Sequence, residues 1–151
     1  MITAQVEPFV PFLEEVKPLL QGHWEELALN KDKVHLDPQY DEYLRKDSLG
    51  MAVVVTLRED GKLVGYFVGF VAPGFHYKTC LTYTMDIFYV HPDHRGNGGG
   101  AIMVNCLEKE LKRRGVKRIF MGTKCHRPSG WMFEKLGYEQ VEIYYSKWIG
   151  D

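Results

Sequence analysis

The sequence predicts a single-domain α/β fold: a mixed β-sheet flanked by helices on both faces, in the order α-α-β-β-β-α-β-α-β. Three observations predict it. The chain has 151 residues, 45% of them hydrophobic, which suits one compact core and leaves little room for a second. Segments with apolar residues at three- and four-residue steps alternate with β-branched runs bounded by turn signals. A glycine-rich turn joins a strand to a helix near residue 98. No internal repeat, low-complexity tract or linker interrupts residues 1–151, which are taken as one domain.

The elements follow in order. Phe12, Val16, Leu19, Leu20, Trp24 and Leu27 predict an amphipathic helix over roughly 9–30. Pro18 should kink it or start a second segment. Asp37-Pro38 should cap and open a second helix that runs to about Leu49, ended by Gly50. Val53-Val54-Val55-Thr56 lies in a strand over 51–57, and Asp60-Gly61 turns the chain into a hairpin partner over 63–71. Ala72-Pro73-Gly74 should break that second strand. A third strand, Leu81 to Val90, should end at Pro92, which has no N–H for a ladder. Met103, Leu107 and Leu111 mark one face of a helix over about 98–114. Its end is favoured by Lys112, Arg113 and Arg114 against the dipole and by Gly115. A strand over 116–122, a short helix over 129–136 and a final strand over 138–148 complete the prediction.

Composition narrows the function. Nineteen basic residues face 20 acidic ones, so the chain lacks the global field of a dedicated nucleic-acid binder. No apolar run approaches the ~20 residues of a membrane span. The first 15 residues carry three glutamates and no basic residue, unlike a secretory signal. Cys80, Cys106 and Cys125 are odd in number and lack C-x-x-C spacing. That argues against a disulfide framework or structural zinc and for the cytoplasm.

The densest chemical signal is Val90-His91-Pro92-Asp93-His94-Arg95-Gly96-Asn97-Gly98-Gly99-Gly100-Ala101. Glycines between a strand and a helix let a ligand approach the backbone. The first-turn N–H groups, which have no helical partners, form with the dipole an anion site suited to a pyrophosphate. Gly96-x-Gly98-x-x-Ala101 matches the dinucleotide fingerprint, but five residues intervene after the strand and no acidic residue follows over 116–124 to hold a ribose. A P-loop fails because no Lys-Ser/Thr follows the glycines.

Arg95-Gly96-Asn97-Gly98-Gly99-Gly100, preceded by Val90-His91-Pro92, resembles the acetyl-CoA loop of GNAT-type N-acetyltransferases. Asp86 to Pro92 is similar to the strand before that loop, and Met132-Phe133-Glu134-Lys135-Leu136-Gly137-Tyr138 to the family's Y-E-K-L-G-F signature. The motif-level resemblance covers about 80–138, and the order of elements nearly the whole chain. It implies that Phe88, Tyr89 and Val90 pair through their backbone with the pantetheine arm. It implies that the N–H groups of Arg95, Gly96, Asn97, Gly98, Gly99, Gly100 and Ala101 hold the pyrophosphate. An N–H near Phe88 or Tyr89 would then hold the developing oxyanion. Two positions depart from the family: its tyrosine proton donor is Phe133 here, and the fifth strand's asparagine is replaced within Lys124-Cys125-His126-Arg127.

Asp86 stands where some relatives, the polyamine acetyltransferases among them, carry a glutamate, and is the candidate general base. An alkylammonium of pKa near ~10.4 must lose a proton before it attacks. The plainer reading is a polar residue on a half-exposed strand. His126 is the second candidate proton carrier. It is not paired with Cys125, since neighbours on a strand point to opposite faces. His91 and His94 have no evident third ligand, so no metal is expected. The basic run from Lys109 to Arg118 reads as a solvated helix end. The resemblance implies an acetyl-CoA-dependent transferase acting on a small-molecule or peptide amine by direct attack in a ternary complex. Membrane and nucleic acid are not expected as partners, and homodimerisation is left open. The alternative is a non-catalytic acyl-CoA-binding module, which Phe133 favours.

Overall fold

The computed structural model describes residues 1–151. Five strands and four helices follow in the order β1 (Ile2–Glu7), α1 (Phe9–Leu27), α2 (Tyr40–Ser48), β2 (Ala52–Glu59), β3 (Lys62–Gly74), β4 (Tyr77–Val90), α3 (Gly99–Arg113), β5 (Arg118–Phe120) and α4 (Gly130–Lys135), with a 3-10 turn at Pro92–His94. The strands form one sheet in sequential order. The first three pairings are antiparallel and β4–β5 is parallel. That parallel step requires the crossover that α3 supplies. The mixed sheet and the helices on both of its faces are as the sequence predicts.

The hairpin turn at Asp60-Gly61 forms as expected, with both residues at positive φ (48° and 84°) and Glu59 opposite Lys62. The run Val53 to Leu57 is buried on both faces of β2. Val53, Val55 and Leu57 pack with Phe67, Tyr83 and the α3 residues Met103, Val104, Leu107 and Leu111. Val54, on the other face, packs with Tyr66, Val68 and Tyr89 under Phe9, Phe12, Leu13 and Val16 of α1. The three-and-four spacing in α1 and α3 therefore builds a separate apolar layer on each side of the sheet.

Several boundaries differ from the sequence reading. Residues 2–7, unassigned there, form the edge strand β1, whose Ile2 and Ala4 pack against the α3-side core. Helix α1 runs through Pro18 as one element and stops at Leu27. Asp37 does not cap α2, which begins at Tyr40 after Gln39. Ala72-Pro73-Gly74 does not end β3. The strand continues to Gly74 and pairs with β4 from Tyr77, because an antiparallel partner is directly opposite. The fifth strand shrinks to Arg118–Phe120.

The final strand expected over 138–148 does not form: residues 139–151 are exposed and carry no secondary structure. Alternation alone does not make a strand, since the ladder needs a neighbour, and this segment has none. The element order is therefore amended at both ends of the chain, with a strand gained at the N-terminus and one lost at the C-terminus.

Arg58 of β2 ties three elements together. Its guanidinium grips Glu7 of β1 through two hydrogen bonds (2.7 and 2.9 Å) and Glu15 of α1 through two more (2.8 and 2.7 Å). Arg58 holds the Glu7 carboxyl below the usual range, chiefly by hydrogen bonding. Replacing Arg58 with Met should destabilise the fold by about 1–3 kcal/mol at pH 7 in a urea titration. Because the Glu7 pKa is depressed, its contribution is present above pH ~4.5 and lost as pH falls through the folded value. The gap between wild type and variant should therefore narrow in acid.

Candidate active site

The site begins with a change in β4. Its pairing with β3 shifts between Val68↔Ile87 and Gly69↔Met85, so Asp86 is an extra, bulged residue. The bulge reverses the alternation of side chains. Met85 packs towards α3, Ile87 and Tyr89 pack towards α1, and Phe88 and Val90 return to the α3 side.

On its other edge β4 pairs with β5 only at Thr82 to Thr84. From Met85 to Val90 that edge has no strand beside it. His91 N–H bonds the Val64 carbonyl at 2.8 Å, which sets the phase of the ladder. Tyr89 thus directs its backbone groups to β3, while Phe88 and Val90 direct theirs to the open edge.

The glycine turn stands next to this edge. Gly98 precedes α3 with φ at +81°, a left-handed conformation that a side chain resists. At Gly99 a Cβ would lie 2.5 Å from Cδ2 of Leu57, so the helix start is seated directly on the sheet. Gly99 N–H is taken by the Asn97 side chain at 3.1 Å, and the first intrahelical bond comes from Ile102 N–H to the Gly98 carbonyl. The N–H groups of Gly96, Asn97, Gly98, Gly100 and Ala101 make no hydrogen bond within the chain. Their partial charges add to the positive end of the α3 dipole.

Arg95 is used structurally. Its Nε donates to the Val90 carbonyl at 2.7 Å, and its terminal nitrogens hold both Glu26 oxygens at 2.7 and 2.6 Å. This pair pins the turn to α1, and the hydrogen bonds lower the Glu26 pKa.

Phe133 is buried in α4, with its ring 6.1 Å from Phe88 and 6.0 Å from Tyr138. Phe88 in turn stacks on Phe67 at 4.3 Å. The structure thus gathers Phe88, Gly100 and Phe133, which are distant in sequence, on one side of the open edge.

Asp86 accepts a hydrogen bond from the Tyr43 hydroxyl of α2. Burial, with help from this carboxylate, keeps the Tyr43 phenol protonated far above its ordinary range. Tyr43 and Ile87 line a cavity of about 360 Å³ between α1, α2 and the sheet. Its walls are mostly apolar, with Phe12, Leu20, Trp24 and Tyr40 among them. Asp37, His35, His23 and Lys124 supply the polar lining.

His126 is exposed on a turn closed by Lys124 and Arg127, beyond the end of β5 rather than on it, and forms no hydrogen bond or ion pair. Its neighbour Lys124 is the member of that turn that reaches the cavity. His94 contacts Glu59 at 2.5 Å, and the His91 ring accepts the Asp93 N–H at 3.3 Å.

His23 escaped the sequence reading. It lies seven residues after Val16 and three after Leu20, within the apolar stripe of α1, and that spacing was its signal. Its Nδ1 is 2.8 Å from the Tyr66 hydroxyl and its ring stacks on Tyr89 at 4.7 Å. Burial lowers its pKa to about 4, against a partly opposing pull from Glu26.

A half-open sheet edge thus lies beside a row of largely free N–H groups, with an apolar pocket across the strand. The sequence matches the Acetyltransferase (GNAT) family over residues 14–138, and the chain belongs to that family. No curated protein matches it significantly. The fold is shared with a ribosomal-protein-alanine N-acetyltransferase from Brucella melitensis biovar Abortus 2308 (TM-score 0.78, 22% identity, covering 100% of this chain and 99% of that one). A glucosamine-6-phosphate N-acetyltransferase from Arabidopsis thaliana is also similar (0.71, 17%, 98% and 99%). So is a predicted acetyltransferase from Clostridium acetobutylicum solved with acetyl-CoA (0.67, 15%, 97% and 96%).

The His23 shift has a stability consequence. A pKa lowered in the folded state means the unfolded chain binds the proton more readily, so His23 stabilises above pH ~6.5 and that contribution is lost as pH falls through about 4. In urea titrations the stability advantage of wild type over His23→Phe should shrink by at most ~3 kcal/mol between pH 7 and pH 4. An NMR titration should find His23 still neutral at pH 5.5.

Proposed function

We propose that this enzyme moves acetyl from acetyl-CoA to a primary amine carried on an apolar body, by direct attack in a ternary complex. The observation that carries the reading is the meeting of two backbone surfaces: the open edge of β4, with both Phe88 groups and the Val90 N–H unpaired and the Val90 carbonyl held by Arg95, and the free N–H groups of Gly96, Asn97, Gly98, Gly100 and Ala101. The first suits an amide-bearing arm that adds like a strand, and the second suits a pyrophosphate.

The thioester supplies an electrophilic carbonyl carbon and a thiolate leaving group. The chain's own residues do the rest. The Phe88 N–H, aimed at the open edge, holds the negative charge that develops on the carbonyl oxygen. Phe88 and Phe133 form an apolar wall that excludes water. Phe133 offers no proton, so the thiolate leaves without a donor from this position.

Asp86 takes one proton from the bound ammonium, directly or through one water, with Tyr43 fixing the carboxylate by donating to one oxygen; the freed lone pair attacks, and as the C–S bond breaks the nitrogen's excess proton passes through water to the departing thiolate or to solvent.

The lining of the cavity supports this acceptor class. One carboxylate, Asp37, lies in its lining and a second, Asp86, stands beside Tyr43 and Ile87, while most of the wall is apolar or aromatic. That chemistry fits an arylalkyl or alkyl amine, or a peptide N-terminus with an apolar first residue. A polycation would need more carboxylates than this wall holds. Neutral His23 adds no charge to repel an incoming ammonium. The free cysteines suit a reducing cytoplasm.

Two variants separate binding from chemistry. Gly98→Asp places a negative charge and a strained φ at the anion site. Calorimetry should find acetyl-CoA affinity reduced roughly tenfold or more while the circular dichroism is unchanged. Asp86→Asn should leave that affinity intact and lower kcat/KM by about 10²–10⁴-fold, most at neutral pH where free amine is scarce. Acceptors for this assay come from a screen of arylalkyl amines, short peptides and polyamines for release of the CoA thiol.

A further inference from the structure

The cavity between α1, α2 and the sheet has two poles of opposite sign. Two carboxylates belong to its α2 side: Asp37 precedes that helix in the lining, and Asp86 accepts from Tyr43 on it. The opposite pole lies at the C-terminal half of α1, where His23 stacks on Tyr89. Lys124, on the turn after β5, is the one lysine or arginine in the lining, and its charge acts on His23. Its ammonium makes no hydrogen bond and no ion pair, and neither does the Arg127 guanidinium on the same turn. Glu26, the carboxylate that acts on His23, is already held by both terminal nitrogens of Arg95. A cation without a counter-ion, facing a mostly apolar wall, offers one kind of chemistry to a ligand: it takes an anion.

We propose that the acceptor amine carries an anionic group, a carboxylate or a phosphate ester, at its far end, and that Lys124 holds this group while Asp86 receives the ammonium. This acceptor rests on the transfer reaction proposed above and narrows it. The wall between the poles sets the spacing. Asp86 and Tyr89 are three residues apart on β4, roughly 10 Å at strand rise. An α-amino acid, with a single carbon between its charged groups, is too short for both poles. An amine and an acid at opposite ends of an arylalkyl body, or of an apolar dipeptide, reach both, with the apolar part against Ile87 and Leu20. Lysine suits either anion, since its ammonium is a compact charge with rotatable donors. A polyamine would bring its far cation to Lys124 and be repelled.

Matched pairs that differ only at the far end test this: para-(aminoethyl)benzoate against phenethylamine, and tyramine phosphate against tyramine. Wild-type kcat/KM should favour the anionic member of at least one pair about tenfold at low salt, through KM, and less as salt rises. The two pairs tell a carboxylate from a phosphate. Lys124→Met should bring that ratio to about one, Lys124→Arg should keep most of it, and Lys124→Glu should invert it. Calorimetry with the same four compounds, acetyl-CoA affinity measured alongside, reads the subsite without turnover. Preferential binding of the acids with no release of CoA thiol would sink the transfer reaction and keep the subsite. Four outcomes would overturn the subsite: a wild-type ratio near one, a ratio that Lys124→Met leaves unchanged, no binding of any of the four compounds, or a Lys124→Met protein that loses affinity for acetyl-CoA in place of the ratio.

Discussion

The architecture depends on one constraint in β4, which must be an interior strand and an edge strand at once. At Thr82 to Thr84 it is paired on both sides. Its second half keeps β3 and loses β5. The bulge at Asp86 marks the changeover and turns a strand that faced one core into a strand that serves two. Phe88 and Val90 then seal the α3 side while Ile87 and Tyr89 seal the α1 side. The Phe88 backbone groups and the Val90 N–H remain available on the open edge. Without the extra residue, side chains beyond position 86 would exchange faces, and an apolar strand end would lose both layers.

The two faces of the sheet have different tasks. The α3 face is filled by large side chains and holds the helix start rigidly against Leu57. The α1 face is filled near Phe12 and Val16 but opens towards the C-terminal half of α1, where His23 and Trp24 line a cavity. Glu26 lies on that same half and holds Arg95 at the mouth of the glycine turn. A single helix thus shapes the cavity wall and anchors the turn, and the two are separated by less than one helical turn along it.

Much of this was open to inspection in the residues alone. Apolar spacing located α1 and α3, Asp60-Gly61 located the hairpin, and the glycines located the strand-to-helix turn. Each of these signals is local, acting over a few residues. The features that sequence could not supply are set by neighbours distant in the chain. Strand β1 is short and forms only because β2 lies beside it. The bulge at Asp86 is a two-against-one register with β3, invisible along β4 alone. His23 carries the same stripe signal as Leu20, but its role depends on Tyr66 and Tyr89. The segment after Tyr138 has strand composition and still lacks a ladder: it lies against no strand, although the outer edge of β5 is free.

The proposed anion site is built from main-chain groups, and this shapes how such a protein drifts over time. Every residue type except proline brings the same N–H. Natural selection at the turn therefore acts on backbone conformation and clearance, at Gly98 for its sign of φ and at Gly99 for its contact with Leu57, more than on side-chain identity. A lineage can replace most of its surface and much of its core while the same row of donors stays in register.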